Sequence, residues 1–231
     1  MTAVQKNVST PQIERIACGS VNCYIISQGG RAVLIDTAAK KYRELLLEKC
    51  RAKNVGLILI THGHYDHCQK AARLARELNV PIAMHPADIP LLESIMSGPL
   101  EAKSLFGKSM VFVIRLGSSP VPGKAVALFQ DSSIEPVEPD IELCDGFSLM
   151  EYGVDARVIA LPGHTMGSVG VLVGDNDLVV GDALMNIGRP SRAAHYQDRA
   201  AMEASAGKIT ALGDNITIHF GHGKPVRNRA W

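Results

Sequence analysis

Thr61-His62-Gly63-His64-Tyr65-Asp66-His67 places three histidines and one carboxylate within six residues. In extended backbone the side chains at i and i+2 share a face, so His62 and His64 can approach one ion together. Gly63 between them permits a tight turn and leaves room beside the ion. Asp66 and His67 are adjacent and point elsewhere, unless the chain turns into a helix and aims them at a second ion. Imidazole nitrogen and carboxylate oxygen suit zinc first, and serve iron or manganese as well. Four donors do not complete two sites, and the chain offers three more. His164 stands in Leu161-Pro162-Gly163-His164-Thr165, Asp182 follows Gly181, and His222 lies between Gly221 and Gly223. Each is a turn residue when taken singly. Together they supply two further imidazoles and a carboxylate with one oxygen for each ion.

Two cations about 3.5–4 Å apart share a water and lower its pKa from 15.7 toward roughly 7. A shift of roughly 8–9 units is worth about 12 kcal/mol to hydroxide, so a nucleophile exists at neutral pH without Ser or Cys. One ion also polarises a carbonyl or phosphoryl oxygen. Asp66 is the candidate catalytic residue, orienting the hydroxide and passing a proton to the leaving group. The imidazole tautomers need partners, for which Asp36, Thr61, Thr165 and Ser168 are candidates. Cys68 reads as a small helix residue packed near the site. His85 reads as structural and His219 has no assigned role. His195, with Arg189, Arg192 and Tyr196, falls in an expected loop from Asn186 to Gln197 that would line a substrate pocket.

These residues need strands that end together. Ile13–Ala17, Val21–Ser27 and Ala32–Asp36 read as strands, with Gly29-Gly30 turning the second into the third. Lys40–Ala52 reads as a helix, and Gly56–Ile60 as a buried strand running into Thr61-His62. Ala71, Leu74, Ala75 and Leu78 form one apolar helix face. Pro81–His85 reads as a strand and Pro86 as a helix start. Further strands are expected at Phe147–Glu151, Arg157–Leu161, Ser168–Val173, Leu178–Asp182 and Asn215–His219. Asp198 caps a helix whose inner face is Met202, Ala206, Ile209 and Leu212, closed by Gly213. Residues 97–139 carry a weaker pattern and read as a variable connecting or lid segment, helical at 104–116. The two halves echo one another: Val33–Asp36 resembles Leu178–Asp182, and Leu57–His64 resembles Val158–His164.

The 231 residues are read as one domain, 46% hydrophobic and 5% aromatic, with an aliphatic core. A net charge of +1 offers no footprint for nucleic acid. No apolar run reaches the roughly 18–20 residues that span a bilayer, so neither nucleic acid nor membrane is an expected partner. Five cysteines at irregular spacing argue for a reducing compartment. With no export signal at residues 1–10, a cytoplasmic location is expected. Composition leaves the oligomeric state open.

The order HGHYDH, PGHT, GD, GHG resembles the metallo-β-lactamase superfamily pattern HxHxDH, His, Asp, His over about residues 13–223. That resemblance implies an α/β (α+β) fold, a four-layer αββα sandwich with the ligand loops at one edge. It implies that His62, His64 and His164 hold one divalent ion and that Asp66, His67 and His222 hold the other, with Asp182 between them. It also implies that Asp36 matches the family's aspartate at a strand end. His64 stands where the di-iron oxygen- and nitric-oxide-reducing branch has Glu. Only residues 223–231 follow the last ligand, where glyoxalase II has a helical extension for glutathione. The expected activity is therefore hydrolysis of a small-molecule ester, thioester or lactone. Its rivals are an iron-dependent sulfur dioxygenase of the same fold and a non-catalytic metal-binding protein.

Overall fold

The computed structural model describes residues 9–93, 101–102, 108–109 and 138–231. Most of the segment 97–139, including the helix expected at 104–116 apart from residues 108–109, lies outside the described residues.

A six-stranded sheet is ordered β1 (Gln12–Cys18), β2 (Val21–Gln28), β3 (Arg31–Ile35), β4 (Val55–Leu59), β5 (Ile82–Met84), β6 (Ile141–Glu142). The first three strands are antiparallel and the last four parallel. Gly29 and Gly30 both have positive φ (58° and 81°), which the tight β2–β3 hairpin requires and glycine adopts without strain. The parallel strands need crossovers, and helices α1 (Arg43–Ala52) and α3 (Ala71–Leu78) supply those from β3 to β4 and from β4 to β5. Between them, α2 (Tyr65–Cys68) is a single turn directly after His64. Farther on, α4 (Ile89–Glu93) follows a 3₁₀ turn at Pro86–Asp88.

A second, five-stranded sheet is ordered β13 (Val226–Arg227), β12 (Thr217–His219), β9 (Asp177–Val179), β8 (Val169–Val173), β7 (Ala156–Ala160). Between β9 and β12 come the hairpin β10 (Leu184–Ile187)–β11 (Arg189–Arg192) and helix α5 (Arg199–Thr210).

The period-2 alternation of side chains sorts the strand residues into layers. Tyr24, Ile26, Val33, Ile35, Leu57 and Leu59 face Val158, Val169, Val171 and Val179 of the other sheet. Their neighbours Ile25, Leu34 and Ile58 pack on Leu46, Leu47, Leu74 and Ala75 of α1 and α3. On the far side Ile159, Leu172, Leu178 and Ile218 meet Ala206 and Ile209 of α5. Helices, sheet, sheet and helix make the four-layer αββα sandwich. Asp198 caps α5, accepting from Ala201 N at 2.9 Å.

Strands β7 and β9 are each antiparallel to β8, and β12 is parallel to β9. All three run the same way, so the segments after them emerge at one edge of the sheet. The two sheets meet there through Val169 N–H, which donates to Thr61 O at 2.9 Å.

The structure departs from the sequence expectations in three places. Phe147–Glu151 is not a strand: Ser148 makes one bridge to Arg157, then a 3₁₀ turn at Met150–Tyr152 ends at Gly153, φ 79°. The expected loop Asn186–Gln197 contains β11, because Gly188 at φ 78° folds the chain back on β10. The echoing segments also differ in setting. Strands β3 and β4 are hydrogen-bonded neighbours, whereas β7 and β9 are separated by β8.

Candidate metal centre

Strand β4 delivers Thr61 and His62 to the sheet edge, and His64, with φ −74° and ψ 141°, is the N-cap of α2. The chain therefore turns between His64 and Asp66, and the single motif serves two places. His62, His64 and His164 form one group of donor atoms, Asp66, His67 and His222 another, and Asp182 joins His62 and His67 in a third. Within each group the donor atoms lie within 4.8 Å of one another. All seven sequence-predicted residues come together.

In the first group His164 Nε2 faces His64 Nδ1 at 2.9 Å, and His62 Nε2 is buried without a partner. In the second, His67 Nε2 lies 3.4 Å from His222 Nε2. Asp66 Oδ2 is 3.8 Å from the former and 3.6 Å from the latter. Asp182 stands between the groups. Its Oδ2 is 3.8 Å from His164 Nε2 and 3.2 Å from His222 Nε2, and its Oδ1 is 3.7 Å from His67 Nε2. Buried Asp182 Oδ1 has no hydrogen-bond donor. Facing nitrogens, an orphaned imidazole nitrogen and an orphaned carboxylate oxygen are what a cluster built around cations leaves when the cations are set aside. Buried polar atoms as a rule find partners; His195 Nδ1 and His219 Nδ1 also lack one, so it is the convergence of the donor atoms that carries the fit. The donor set fits two divalent ions.

A family model described as the metallo-β-lactamase superfamily matches residues 16–222. The chain belongs to that superfamily. An uncharacterized protein of Mycobacterium tuberculosis is 29% identical over 220 residues, covering 90% of this chain and 87% of its own. A hydroxyacylglutathione hydrolase of Anaeromyxobacter dehalogenans is 25% identical over 209 residues, but the match spans only 63% of that enzyme. The solved structure of TTHA1623 in a di-iron-bound form is 26% identical, with a TM-score of 0.61 over 94% of both chains.

In this superfamily member four of the five imidazoles, those of His62, His67, His164 and His222, are oriented by their other nitrogen. His67 Nδ1 donates to Asp36 Oδ2 at 2.9 Å. Thr61 Oγ1 donates to the same oxygen at 2.8 Å, so its lone pair accepts from His62 Nδ1 at 3.1 Å. Asp36 Oδ1 also accepts from Thr61 N at 2.8 Å. The nitrogen left for an ion on both His62 and His67 is Nε2. His164 Nδ1 donates to His195 O at 3.0 Å and His222 Nδ1 to Ser20 O at 2.7 Å. Asp36 and Thr61 thus take the orienting roles expected of them. Thr165 and Ser168 do not: Thr165 Oγ1 donates to Asp88 Oδ2 at 2.6 Å and Ser168 Oγ bonds Thr165. They brace the backbone of the His164 loop and touch no imidazole.

Electrostatics follow burial and neighbours. Burial, aided by His195, pushes His64 down to about 3. Burial and neighbouring imidazoles hold His62 and His164 well below the ordinary histidine range. His67 is opposed by burial, but Asp182, Asp66 and Asp36 outweigh it and raise the ring to about 10. For Asp182 burial acts upward, yet His222 and His67 hold its carboxyl well below the ordinary range.

Cys68 is buried, its Sγ donating to His64 O at 3.1 Å. His85 Nδ1 accepts from Ala87 N at 3.2 Å, a cap. His219 lies behind the site, paired with Asp177 Oδ1 at 2.7 Å. His195 is buried, its ring 4.6 Å from that of His164 and 5.6 Å from that of His64. The flanking Ala194 and Tyr196 line a cavity of about 450 Å³ between the hairpin and α5, together with Met185, Ile187, Arg189 and Met202.

Sequence reasoning missed Asp88, Asn22 and Tyr24. Asn22 Nδ2 donates to Phe220 O and Gly223 O at 2.9 and 2.7 Å, and Tyr24 Oη to Phe220 O at 2.6 Å, which pins the His222 turn to β2. The detectable signal was a polar residue and a tyrosine hydroxyl inside the otherwise apolar run of β2.

Proposed function

We propose that the protein is a dinuclear metal-dependent hydrolase that opens an ester, thioester or lactone bond in a small molecule. The observation carrying this reading is the position of Asp182 between two three-residue donor groups, with one of its oxygens orphaned. Each group offers three donors, the number at which zinc keeps a further position for water or substrate. Divalent ions bound there supply Lewis acidity and an acidified water.

The protein's own residues supply orientation and access. Asp36 and Thr61 hold His62 and His67 in the tautomer that presents Nε2. Asp66, with its side chain 29% exposed, is the one carboxylate of the cluster that reaches the surface. It is placed to hold a proton near the reacting atoms and return it to the leaving group. The cavity lined by Ala194 and Tyr196, the chain neighbours of His195, is the candidate seat for the organic part of a substrate; Met185, Ile187, Met202 and Arg189 line it, and none of the seven donors does. Zinc is the first expected ion, and the di-iron form of TTHA1623 makes iron the comparison to run.

The test is metal content of protein purified without added metal, with a screen of neutral esters, thioesters and lactones before and after chelation. Two ions per chain and turnover abolished by chelation are expected. A single iron with oxygen consumption on a persulfide overturns the reading in favour of a dioxygenase. Two tightly held ions with no turnover on any activated ester overturn it in favour of a non-catalytic centre. Asp66→Asn with full metal content and full turnover removes Asp66 from the proton-transfer role.

A further inference from the structure

Asp88 lies outside the seven-residue cluster, at the end of the 3₁₀ turn before α4, and is completely buried. Its Oδ2 accepts from Gly63 N at 2.8 Å and from Thr165 Oγ1 at 2.6 Å, and its Oδ1 from Gly167 N at 2.7 Å. Gly63 separates His62 from His64, while Thr165 and Gly167 follow His164. One carboxylate therefore joins two loops about a hundred residues apart in sequence, the two loops that supply the three-histidine group.

The joint has no slack. A Cβ on Gly63 would come within 2.7 Å of Leu91 Cβ and 2.8 Å of Asp88 O, and a Cβ on Gly167 within 2.6 Å of Asp88 Oδ1. A buried carboxylate needs this many donors to stay satisfied, so it holds them at fixed separation. The other group, Asp66, His67 and His222, is braced by different atoms: Asp36, Ser20 O, Asn22 and Tyr24. None of these touches Asp88.

We propose that Asp88 is the positioning residue of the three-histidine subsite, setting the distance between the His62–His64 loop and His164, so that ion affinity there depends on Asp88 while affinity at the Asp66–His67–His222 subsite does not. The inference rests on the two-ion reading above. Loss of an orienting partner behind a ligand typically weakens metal binding by about 10–100-fold. In Asp88→Asn one oxygen becomes an NH₂ that confronts a donor, so one of the two loops loses its anchor.

The experiment measures zinc stoichiometry and stepwise affinity by competition with a chromophoric chelator, on wild type, Asp88→Asn, Thr165→Val and Leu47→Ala. Nitrogen-15 NMR of the histidine rings reports which subsite is filled. The expected result for Asp88→Asn is one ion held at wild-type affinity by His67 and His222, and one weakened about 10–100-fold at His62, His64 and His164. Thr165→Val keeps the carboxylate and both backbone donors, so it gives a smaller loss with the same selectivity; it decides the matter if Asp88→Asn does not fold. Leu47→Ala removes a buried contact in the outer helical layer and should lower thermal stability while keeping both ions. Unchanged affinities in Asp88→Asn, equal weakening of both ions, loss at the wrong subsite, or the same selective loss in Leu47→Ala would overturn the proposal. A wild-type protein that binds fewer than two ions refutes the two-ion reading instead, and does so before any variant is compared.

Discussion

Replacing Asp36 by Asn is the sharpest probe of how the imidazoles are prepared. Asp36 sits at φ 59°, a left-handed conformation that Asn tolerates well, so the exchange adds little backbone cost. The carboxylate accepts three hydrogen bonds, from Thr61 N, Thr61 Oγ1 and His67 Nδ1. An amide can meet them in two ways. With its oxygen on Thr61 N, the NH₂ confronts the hydroxyl and His67. The Thr61 hydroxyl must then turn its proton toward His62 Nδ1, which leaves that ring's proton on Nε2, the wrong atom for an ion, and the NH₂ opposes the proton on His67 Nδ1. With the amide reversed both rings keep the useful tautomer, but NH₂ faces the Thr61 N–H and a buried donor loses its partner.

The first arrangement suits the metal-free protein and the second the loaded one. The difference between them sets the loss. An unsatisfied buried donor costs about 1–3 kcal/mol, so the combined ion affinity of Asp36→Asn should fall by roughly 5–150-fold. Unlike a change at Asp88, the loss involves one imidazole in each donor group. Calorimetric titration with zinc gives the affinity, and nitrogen-15 NMR of the metal-free rings gives the tautomer. A variant that binds zinc as tightly as wild type, with His62 still protonated on Nδ1, would refute the argument.

Other perturbations follow from the same geometry. In Gly221→Ala the new Cβ would sit 2.2 Å from Asp182 Oδ1 and 2.8 Å from His67 Cε1; ion binding should fall sharply with unchanged far-ultraviolet circular dichroism, and a variant that retains both ions contradicts the placement of Asp182. Asp198→Ala removes the cap of α5 and should cost about 1 kcal/mol, lowering the melting temperature by roughly 2–4 °C with metal content unchanged. In the metal-free protein His67 is raised to about 10, against burial, by Asp182, Asp66 and Asp36. Its proton therefore stabilises the metal-free fold fully below its ordinary value near 6.5, and that contribution is lost as pH rises toward about 10. Loading with zinc at pH 7 should accordingly release a proton and strengthen as pH rises, which calorimetry in buffers of different ionisation enthalpy detects; no proton release contradicts a protonated His67 in the metal-free site.

Where sequence and structure agree, the physics is local. The β3 and β4 runs Val33-Leu34-Ile35 and Leu57-Ile58-Leu59 are apolar on both faces because each strand is covered on both sides. The helix at Ala71–Leu78 shows its buried stripe directly. The places that escaped reading are short or depend on distant partners. Strand β6 is two residues long and β13 likewise, too short to show a period. Strand β11, Arg-Pro-Ser-Arg, has three of its four residues exposed and carries a proline. It is a strand only because Gly188 folds it onto β10, away from the ladders of the main sheets.

The centre itself divides the same way, and the division has a physical cause. An ion is held by side-chain atoms, so the seven donors had to appear as His and Asp, and their order could be read. What aims the imidazoles need not be side chain at all. His164 and His222 are oriented by the main-chain carbonyls of His195 and Ser20, atoms that every residue possesses and that leave no mark on residue type. Asp88 does leave a mark, but its partners are two glycine N–H groups and one hydroxyl, so nothing in its surroundings distinguishes it from an ordinary turn aspartate. Substitutions at Ser20 or His195 that preserve the backbone path should therefore leave the orientation of His222 and His164 intact, whereas a change that moves that path by a fraction of an ångström would turn these two rings without altering a single donor.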